Sequence, residues 1–185
     1  FSTSTLYHAQ DLPFSIKDIP DVFTNFRKRT EKESQIREIF PAPKAIKSPA
    51  IPELILPRIE QLGLTQITVD QRSAFPFKGG ETEVYKRLNY YFNETKLIST
   101  YKETRNELIG TDYSSKFSPW LANGCLSPRE IYYKKKKYEE QFGANESTYW
   151  LVFELLWRDY FRFMMKKHRH QFFLQTGIKP SESPT

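Results

Sequence analysis

The second half of the chain carries apolar residues at the spacing of a helix. After a pair of glycines, Val84, Leu88, Tyr91 and Phe92 lie at positions i, i+4, i+7 and i+8. Residues at these positions share one face, so the pattern predicts an amphipathic helix that packs on a core. The helical pattern continues over 97–108. No run in this half alternates with the period of a strand for long enough to build a sheet.

Three more helices are predicted further along the chain. A short helix is predicted over 119–124. Ser127 and Glu130 then form a capping box, with Pro128 at the first position of the next helix. The last helix is predicted from residue 147 or 148 to about residue 170. These elements make the predicted fold mainly α.

The first part of the chain has weaker patterns. Residues 18–40 show a helical period, and Asp21 stands where it would cap that helix. Four prolines between residues 41 and 52 exclude a continuous helix and favour an extended linker. We expect a domain boundary in this linker or slightly after it.

Two short elements are predicted after the linker. A helix over 52–62 would place its apolar residues on one face. It would end at Gly63, because glycine readily adopts the left-handed conformation that stops a helix. A strand is predicted over 66–70.

The composition favours a polyanionic partner. The 185 residues include 28 Lys and Arg against 22 Asp and Glu, which gives a net charge of +6. Aromatic residues make up 16% of the chain. They serve either as core material or as platforms that stack on bases or on a planar cofactor.

Cysteine, histidine and apolar content exclude several classes of protein. Cys125 is the only cysteine, so an internal disulfide framework is excluded. The three histidines have no Cys or His partners at metal-ligand spacing, which predicts that there is no metal site. The longest apolar stretch is too short to span a bilayer, and we expect no membrane partner.

The last predicted helix carries a carboxyl, an indole and a guanidinium on one face. Glu154 and Trp157 are three positions apart, and Glu154 and Arg158 are four apart. One interpretation is a surface Glu–Arg pair beside a partly buried Trp. The other is a ligand site, in which the indole stacks on a base, the carboxyl binds its edge and the guanidinium holds a phosphate.

The stretch DYSSKFSP is a second candidate site. Ser114, Ser115 and Ser118 offer three hydroxyl groups, and the turn offers free amide groups just ahead of Pro119. A turn that leads into a helix N-terminus favours anions. The alternative is that Ser118 simply caps the following helix.

Two basic runs, at 134–137 and 166–170, allow two interpretations. Such runs are typical of solvated helix faces. They also suit a rim that follows a phosphate backbone, where binding would weaken steeply with salt.

Several long stretches resemble the photolyase/cryptochrome family, and most closely its DASH branch. The stretches are YKETRNELIGTDYSSKFSPWLANGCLSPREIY, STYWLVFELLWRDYFRF, TLYHAQDLPFSIKDIPDVFTNFRK and FKGGETEVYKRLNYYF. The resemblance implies that residues 1–77 are an irregular or helical segment that connects an α/β antenna domain to the next domain. It implies that residues 78–185 are the N-terminal half of a helical FAD-binding domain. We therefore expect the chain to be a piece of a longer protein.

The resemblance also implies which residues hold FAD. Two of these residues differ from the family pattern, since Ser114 replaces a Thr and Phe117 replaces a Leu; the hydroxyl is retained in the first case. The implied cofactor residues are Tyr101, Ser114, Ser115, Lys116, Phe117 and Ser118.

The candidate trio of the last helix matches the family's substrate site. Glu154 matches the carboxyl that hydrogen-bonds a pyrimidine dimer, Trp157 the indole that packs on it, and Arg158 a neighbouring basic residue. The resemblance thus implies catalytic roles for Glu154 and Trp157 and nucleic-acid contacts for all three. A protonated Glu154 would donate a hydrogen bond to the negative charge that develops on the dimer. Leu151 occupies a position where some photolyases have a Trp.

The function implied by the resemblance is blue-light-dependent splitting of cyclobutane pyrimidine dimers. The partner would be DNA, mainly single-stranded, and the electron would come from excited reduced FAD. A folate-type antenna pigment would bind the N-terminal domain. The protein would be cytoplasmic in a bacterium. In a eukaryote, location in an organelle is an alternative. The hydroxyl-bearing loop near residue 115 and the acidic side of the last helix would border a common hollow shaped for the flavin.

Two other functions stay open. A photoreceptor or nucleic-acid-binding protein of the same fold would lack repair activity, because function depends on the site and not on the fold. A basic, aromatic-rich helical module would bind its partner without any cofactor.

Overall fold

The structure is a computed structural model that describes residues 4–50, 52–65, 67–108 and 110–178. No strand occurs among these residues, and the prediction of a mainly α fold is confirmed. The α-helices are α1 (Phe23–Glu33), α2 (Glu81–Asn89), α3 (Tyr101–Thr104), α4 (Ser118–Asn123), α5 (Pro128–Phe142) and α6 (Glu146–His168).

Helix α6 forms the centre of the fold. It is 23 residues long and contacts α1, α3 and α5. Its buried positions include Leu151, Leu156 and Phe163. Because it is covered on several sides, its sequence is apolar over more than one face.

The start of α6 is fixed by a capping box. The Asn145 side chain accepts a hydrogen bond from the Thr148 amide at 2.9 Å, and the Thr148 hydroxyl accepts one from the Asn145 amide at 3.1 Å. The helix ends at His168, because Arg169 adopts a left-handed φ of 51°. The helix predicted from the sequence is therefore confirmed to within two residues at each end.

A buried carboxylate attaches the N-terminal segment to α6. Asp159 is 0% exposed, and it accepts hydrogen bonds from the amides of Leu6 at 3.0 Å and Tyr7 at 2.9 Å. Arg129 of α5 donates to the Leu6 carbonyl at 3.2 Å. Burial raises the pKa of Asp159 to about 7, although the two amides oppose this shift.

The core face predicted around α2 is confirmed. Val84, Leu88, Tyr91 and Phe92 are all buried, and the helix continues beyond Asn89 as a π-helical turn. The helix predicted over 97–108 is shorter than expected. It consists of a 3-10 turn, Leu97–Thr100, followed by α3.

The cap of α5 is half of the predicted box. The Ser127 hydroxyl accepts a hydrogen bond from the Arg129 amide at 3.3 Å, and Pro128 is the first helical residue. Glu130 does not complete the box; its carboxyl instead raises the pKa of the Tyr85 hydroxyl to about 12.

Tertiary contacts also shorten α1 relative to its prediction. The helix begins at Phe23, and its N-cap, Val22, makes no side-chain hydrogen bond. The predicted cap, Asp21, instead accepts a hydrogen bond from Lys167 of α6 at 2.6 Å. Asp21 thus pairs with Lys167 of α6 and does not cap α1.

The elements predicted between residues 52 and 70 are mostly wrong. The expected helix is reduced to a 3-10 turn, Glu60–Leu62, followed by Gly63 at a φ of 74°. Ile55, which should have packed on a core, is 93% exposed. Residue 66 lies outside the described residues, and 67–70 form no strand. An apolar face does not stabilise a helix when it has no surface to pack against.

Two further properties concern membranes and metals. Across the described part of the chain, no helix combines the length and apolar character that a bilayer span requires. Within the same ranges, no group of three or more His, Cys, Asp or Glu side chains is arranged to hold a metal ion.

The buried Asp159 predicts a pH-dependent stability. Its folded-state pKa of about 7 lies above the roughly 3.9 of an unfolded Asp, so between these values only the folded state holds the proton. The free energy of unfolding contributed by this group should therefore fall as the pH rises from about 4 to about 7. In urea denaturation of the full-length protein, Asp159→Asn should remove this part of the pH dependence. Asp18→Asn, an exposed control, should keep it, and equal slopes for both variants would contradict the prediction.

Candidate functional site

A cavity of about 230 Å³ lies between the loop of residues 110–118, which we call the serine loop, and helix α6. It brings together four of the six implied cofactor residues and two residues of the implied trio. The residues that border it are Tyr101, Ser115, Phe117, Ser118, Leu121, Ile131, Leu151, Glu154, Leu155 and Arg158.

One buried side chain, that of Arg87, binds several backbone carbonyl groups of the serine loop. Arg87 of α2 donates to the carbonyl oxygens of Thr111 at 2.7 Å, Ser114 at 3.1 Å and Ser115 at 3.2 Å. It also forms an ion pair with Asp112 at 3.3 Å. Arg87 does not border this cavity but borders a different one, together with Thr111 and Asp112 of the loop.

The backbone of the serine loop therefore presents its donors away from Arg87. In a trans peptide the carbonyl of one residue and the N–H of the next point in opposite directions. With the carbonyls of Ser114 and Ser115 facing Arg87, the N–H groups of Ser115 and Lys116 face the other way. Among the described residues, neither these amides nor the hydroxyls of the three serines have a hydrogen-bond partner. The loop thus offers free donors for an anion.

The remaining residues of the loop have different positions. Lys116 adopts a left-handed φ of 61°, and its ammonium group lies 3.6 Å from the ring centroid of Tyr113. Phe117 is buried in the core, where its ring stacks on Phe92. Ser118 is the first residue of α4 and not its N-cap, so the capping interpretation of Ser118 is wrong. Ser114 and Lys116 do not border the cavity, whereas Ser115 does.

Tyr101 borders the cavity at the start of α3. It is 7% exposed, and burial raises the pKa of its hydroxyl to about 12, with the nearby Glu154 adding to the shift. The phenol therefore stays protonated at neutral pH and can donate a hydrogen bond.

Glu154 has a partner that the sequence analysis missed. Arg105, four residues after Tyr101, donates to a Glu154 carboxyl oxygen at 2.7 Å. Both side chains are about one-third exposed, and the Arg105 guanidinium also lies 5.4 Å from the Trp150 ring centroid. Glu154 thus lies against a cation. No local pattern in the sequence marks Arg105 as the partner of Glu154, because the two residues are 49 positions apart.

The trio of α6 does not converge within this chain. The ring of Trp157 stacks on Phe23 of α1, with 3.5 Å between centroids, and does not border the cavity. Arg158 donates to the carbonyls of Ser4 at 2.5 Å and Leu121 at 3.0 Å. Burial and the neighbouring Arg162 lower the pKa of Arg158. Glu154 and Arg158 thus border the hollow, while Trp157 packs on another helix.

The two basic runs are partly structural. Lys135 is buried and forms an ion pair with Glu139 at 2.8 Å. Lys167 donates to the Ile19 carbonyl at 2.6 Å and pairs with Asp21. Neither run is therefore a simple solvated face.

Comparisons with known proteins identify the class of this fold. A crystal structure of a cryptochrome from Synechocystis sp. matches 98% of the chain with a TM-score of 0.84 and 49% sequence identity, over 38% of that protein. A cryptochrome DASH of Danio rerio is 51% identical over the whole chain, which covers 36% of that protein. A cryptochrome DASH of Oryza sativa, described as chloroplastic/mitochondrial, is 44% identical over 97% of the chain and 32% of its own length. No protein-family model matches the chain.

The fold is thus that of a cryptochrome. The chain belongs to the photolyase/cryptochrome family, as a member of its DASH type, and spans slightly more than a third of the length of several curated relatives that it matches.

The contact between Arg105 and Glu154 predicts a measurable coupling. In a double-mutant cycle with Arg105→Gln and Glu154→Gln, the coupling free energy should be on the order of 1 kcal/mol, because both groups are partly shielded from water. The control is the pair of Lys86 and Glu83, in which the Lys86 side chain is 68% exposed. Chemical denaturation measures both cycles. A coupling for Arg105 and Glu154 no larger than that of the control pair would contradict the geometry.

Proposed function

We propose that the protein carrying this chain is a blue-light-dependent, FAD-containing, photolyase-like lyase that splits cyclobutane pyrimidine dimers. One observation carries the proposal. Ser115 and Ser118 of the serine loop, whose hydroxyl groups are free, border the same cavity as Glu154. This supports a site for an anionic cofactor next to a group that would bind a pyrimidine.

The donors of the serine loop suit the diphosphate of FAD. They are neutral hydroxyl and amide groups, which bind phosphate oxygens without a buried countercharge. The opposite wall is apolar, with Ile131, Leu151 and Leu155, and an apolar wall with a few polar groups is typical of a cofactor site. The residues that would hold FAD are Tyr101, Ser114, Ser115, Lys116, Phe117 and Ser118.

Glu154 and Arg105 would act on the dimer. FAD, if bound in its reduced form, would provide the light-driven electron donor for splitting the dimer. A Glu154 oxygen can accept a hydrogen bond from a pyrimidine N–H and so orient the dimer. Arg105 can donate to a pyrimidine carbonyl oxygen, on which negative charge develops, and a preorganised donor stabilises such charge.

DNA, mainly single-stranded, is the proposed partner. A dimer must leave the base stack to enter the cavity, and this costs least where the strand is unpaired. Arg158, which borders the cavity, would contact the strand. Trp157 would pack on the dimer only after its ring has moved away from Phe23. The net charge of +6 favours a polyanion, and binding should weaken with salt.

A photoreceptor without repair activity is the second candidate. It is favoured by the position of Trp157, whose ring stacks on Phe23 and does not border the cavity. In this case the serine loop would still bind FAD, and only the action on the dimer would be lost.

The antenna pigment and the compartment are part of the same proposal. A folate-type pigment would bind outside the residues of this chain. The relative from Oryza sativa is described as chloroplastic/mitochondrial, which supports an organelle if the host is eukaryotic. In a bacterium the protein would be cytoplasmic.

Replacement of Glu154 tests the proposed chemistry. With a single-stranded oligonucleotide that contains a thymine dimer, blue light should restore fewer thymines when the protein carries Glu154→Ala or Glu154→Gln. The loss should be on the order of tenfold, the effect of about 1.4 kcal/mol in a barrier. The absorbance spectrum of bound flavin should not change, because Glu154 is not among the proposed cofactor residues.

Glu140→Gln serves as the control, since Glu140 is exposed on α5. Repair at the wild-type rate by both Glu154 variants would refute the proposed role of this residue. A wild-type protein that binds FAD but restores no thymine would favour the photoreceptor.

A further inference from the structure

Arg87 contacts the serine loop but does not border the cavity of about 230 Å³ between this loop and α6. Its side chain is 5% exposed and borders a separate cavity of about 370 Å³ behind the loop. The guanidinium lies 5.0 Å from the ring centroid of Phe75 and 5.2 Å from that of Tyr90, so its orientation is restricted. Any effect of Arg87 on a ligand must therefore pass through the loop.

The contacts of Arg87 match the shape of a guanidinium. Three of its nitrogens donate to oxygens of four successive or nearly successive residues, namely Thr111, Asp112, Ser114 and Ser115. A planar fork with five donors can reach all these oxygens at once, whereas the single ammonium of a lysine cannot. The contacts thus depend on the geometry of arginine and not only on its charge.

The charge of Arg87 is already offset within the protein. Asp112 lies 3.3 Å from the guanidinium. Although burial alone would raise the pKa of Asp112, hydrogen bonds from Tyr90, Thr111 and Arg87 lower it below its ordinary value. Asp112 therefore remains a carboxylate at neutral pH. The pair presents little net charge to the hollow.

We propose that Arg87 is a positioning residue for the cofactor diphosphate: it binds the loop carbonyls and so directs the amide of Ser115, which borders the cavity, toward the phosphate oxygens. This inference rests on the proposed function, since it assumes that the hollow binds FAD. According to this inference, Arg87 makes the site prefer a flavin that carries phosphates to one that lacks them, although Arg87 itself does not border the cavity.

The test compares two flavins on the full-length protein after removal of its cofactor. Riboflavin has the isoalloxazine ring but no phosphate, whereas FAD has both. Arg87→Lys and Arg87→Gln should each weaken FAD binding by at least about tenfold, while riboflavin binding changes by less than about twofold. Calorimetric titration or quenching of flavin fluorescence measures both affinities.

The Arg87→Lys variant tests whether Arg87 acts by orienting the loop amides or by its positive charge. It keeps the charge and most of the apolar stem, so it should fold, and circular dichroism checks this directly. Restoration of the wild-type FAD affinity by Arg87→Lys would show that charge alone matters and would overturn the proposal. Arg72 is a matched control, because it also pairs with an aspartate but its side chain is 90% exposed; Arg72→Lys should bind both flavins like the wild type.

The other outcomes are equally distinct. Equal losses of FAD and riboflavin binding would show that Arg87 only stabilises the fold, and would overturn the inference alone. If the wild-type protein binds riboflavin no more weakly than FAD, the loop does not recognise phosphate and the inference is wrong. If the wild-type protein binds neither flavin, the proposed function fails and the inference fails with it.

Discussion

The site depends on the backbone direction of the serine loop, which a single buried arginine fixes. A loop without regular structure has no ladder to pair its carbonyls and amides, so each polar group needs its own partner. Arg87 supplies partners for the carbonyls on one side. Because carbonyl and amide directions alternate along the chain, the amide of Ser115, which borders the cavity, is left for a ligand.

Helix α6 supplies the opposite wall, and its position depends on contacts with the start of the chain. Asp159 binds the amides of Leu6 and Tyr7, while Arg158, one residue earlier, donates to the Ser4 carbonyl. These contacts cross more than 150 residues of sequence and orient the face of α6 that carries Glu154. The N-terminal segment is thus part of the support of the site, although it does not border the cavity.

The sequence predicted the helices that have a core to cover. The buried stripe that begins at Val84 and the capped helix that ends at His168 were both found, because their periods reflect packing. The predictions for residues 52–70 were wrong, because a periodic apolar pattern that has no surface to pack against produces only an exposed turn. The serine loop and the face of α6 that carries Glu154, which both border the cavity, were identified from their sequence motifs. Arg87 and Arg105 were missed, because buried or bridging arginines have no local pattern and depend on partners distant in sequence.

The most direct test of the account is a crystal structure of the full-length protein with FAD bound. We expect an oxygen of the diphosphate within about 3 Å of the amide nitrogen of Ser115, with Arg87 still bound to the carbonyls of the loop. A diphosphate bound away from the serine loop, or loop carbonyls turned into the cavity, would contradict the account.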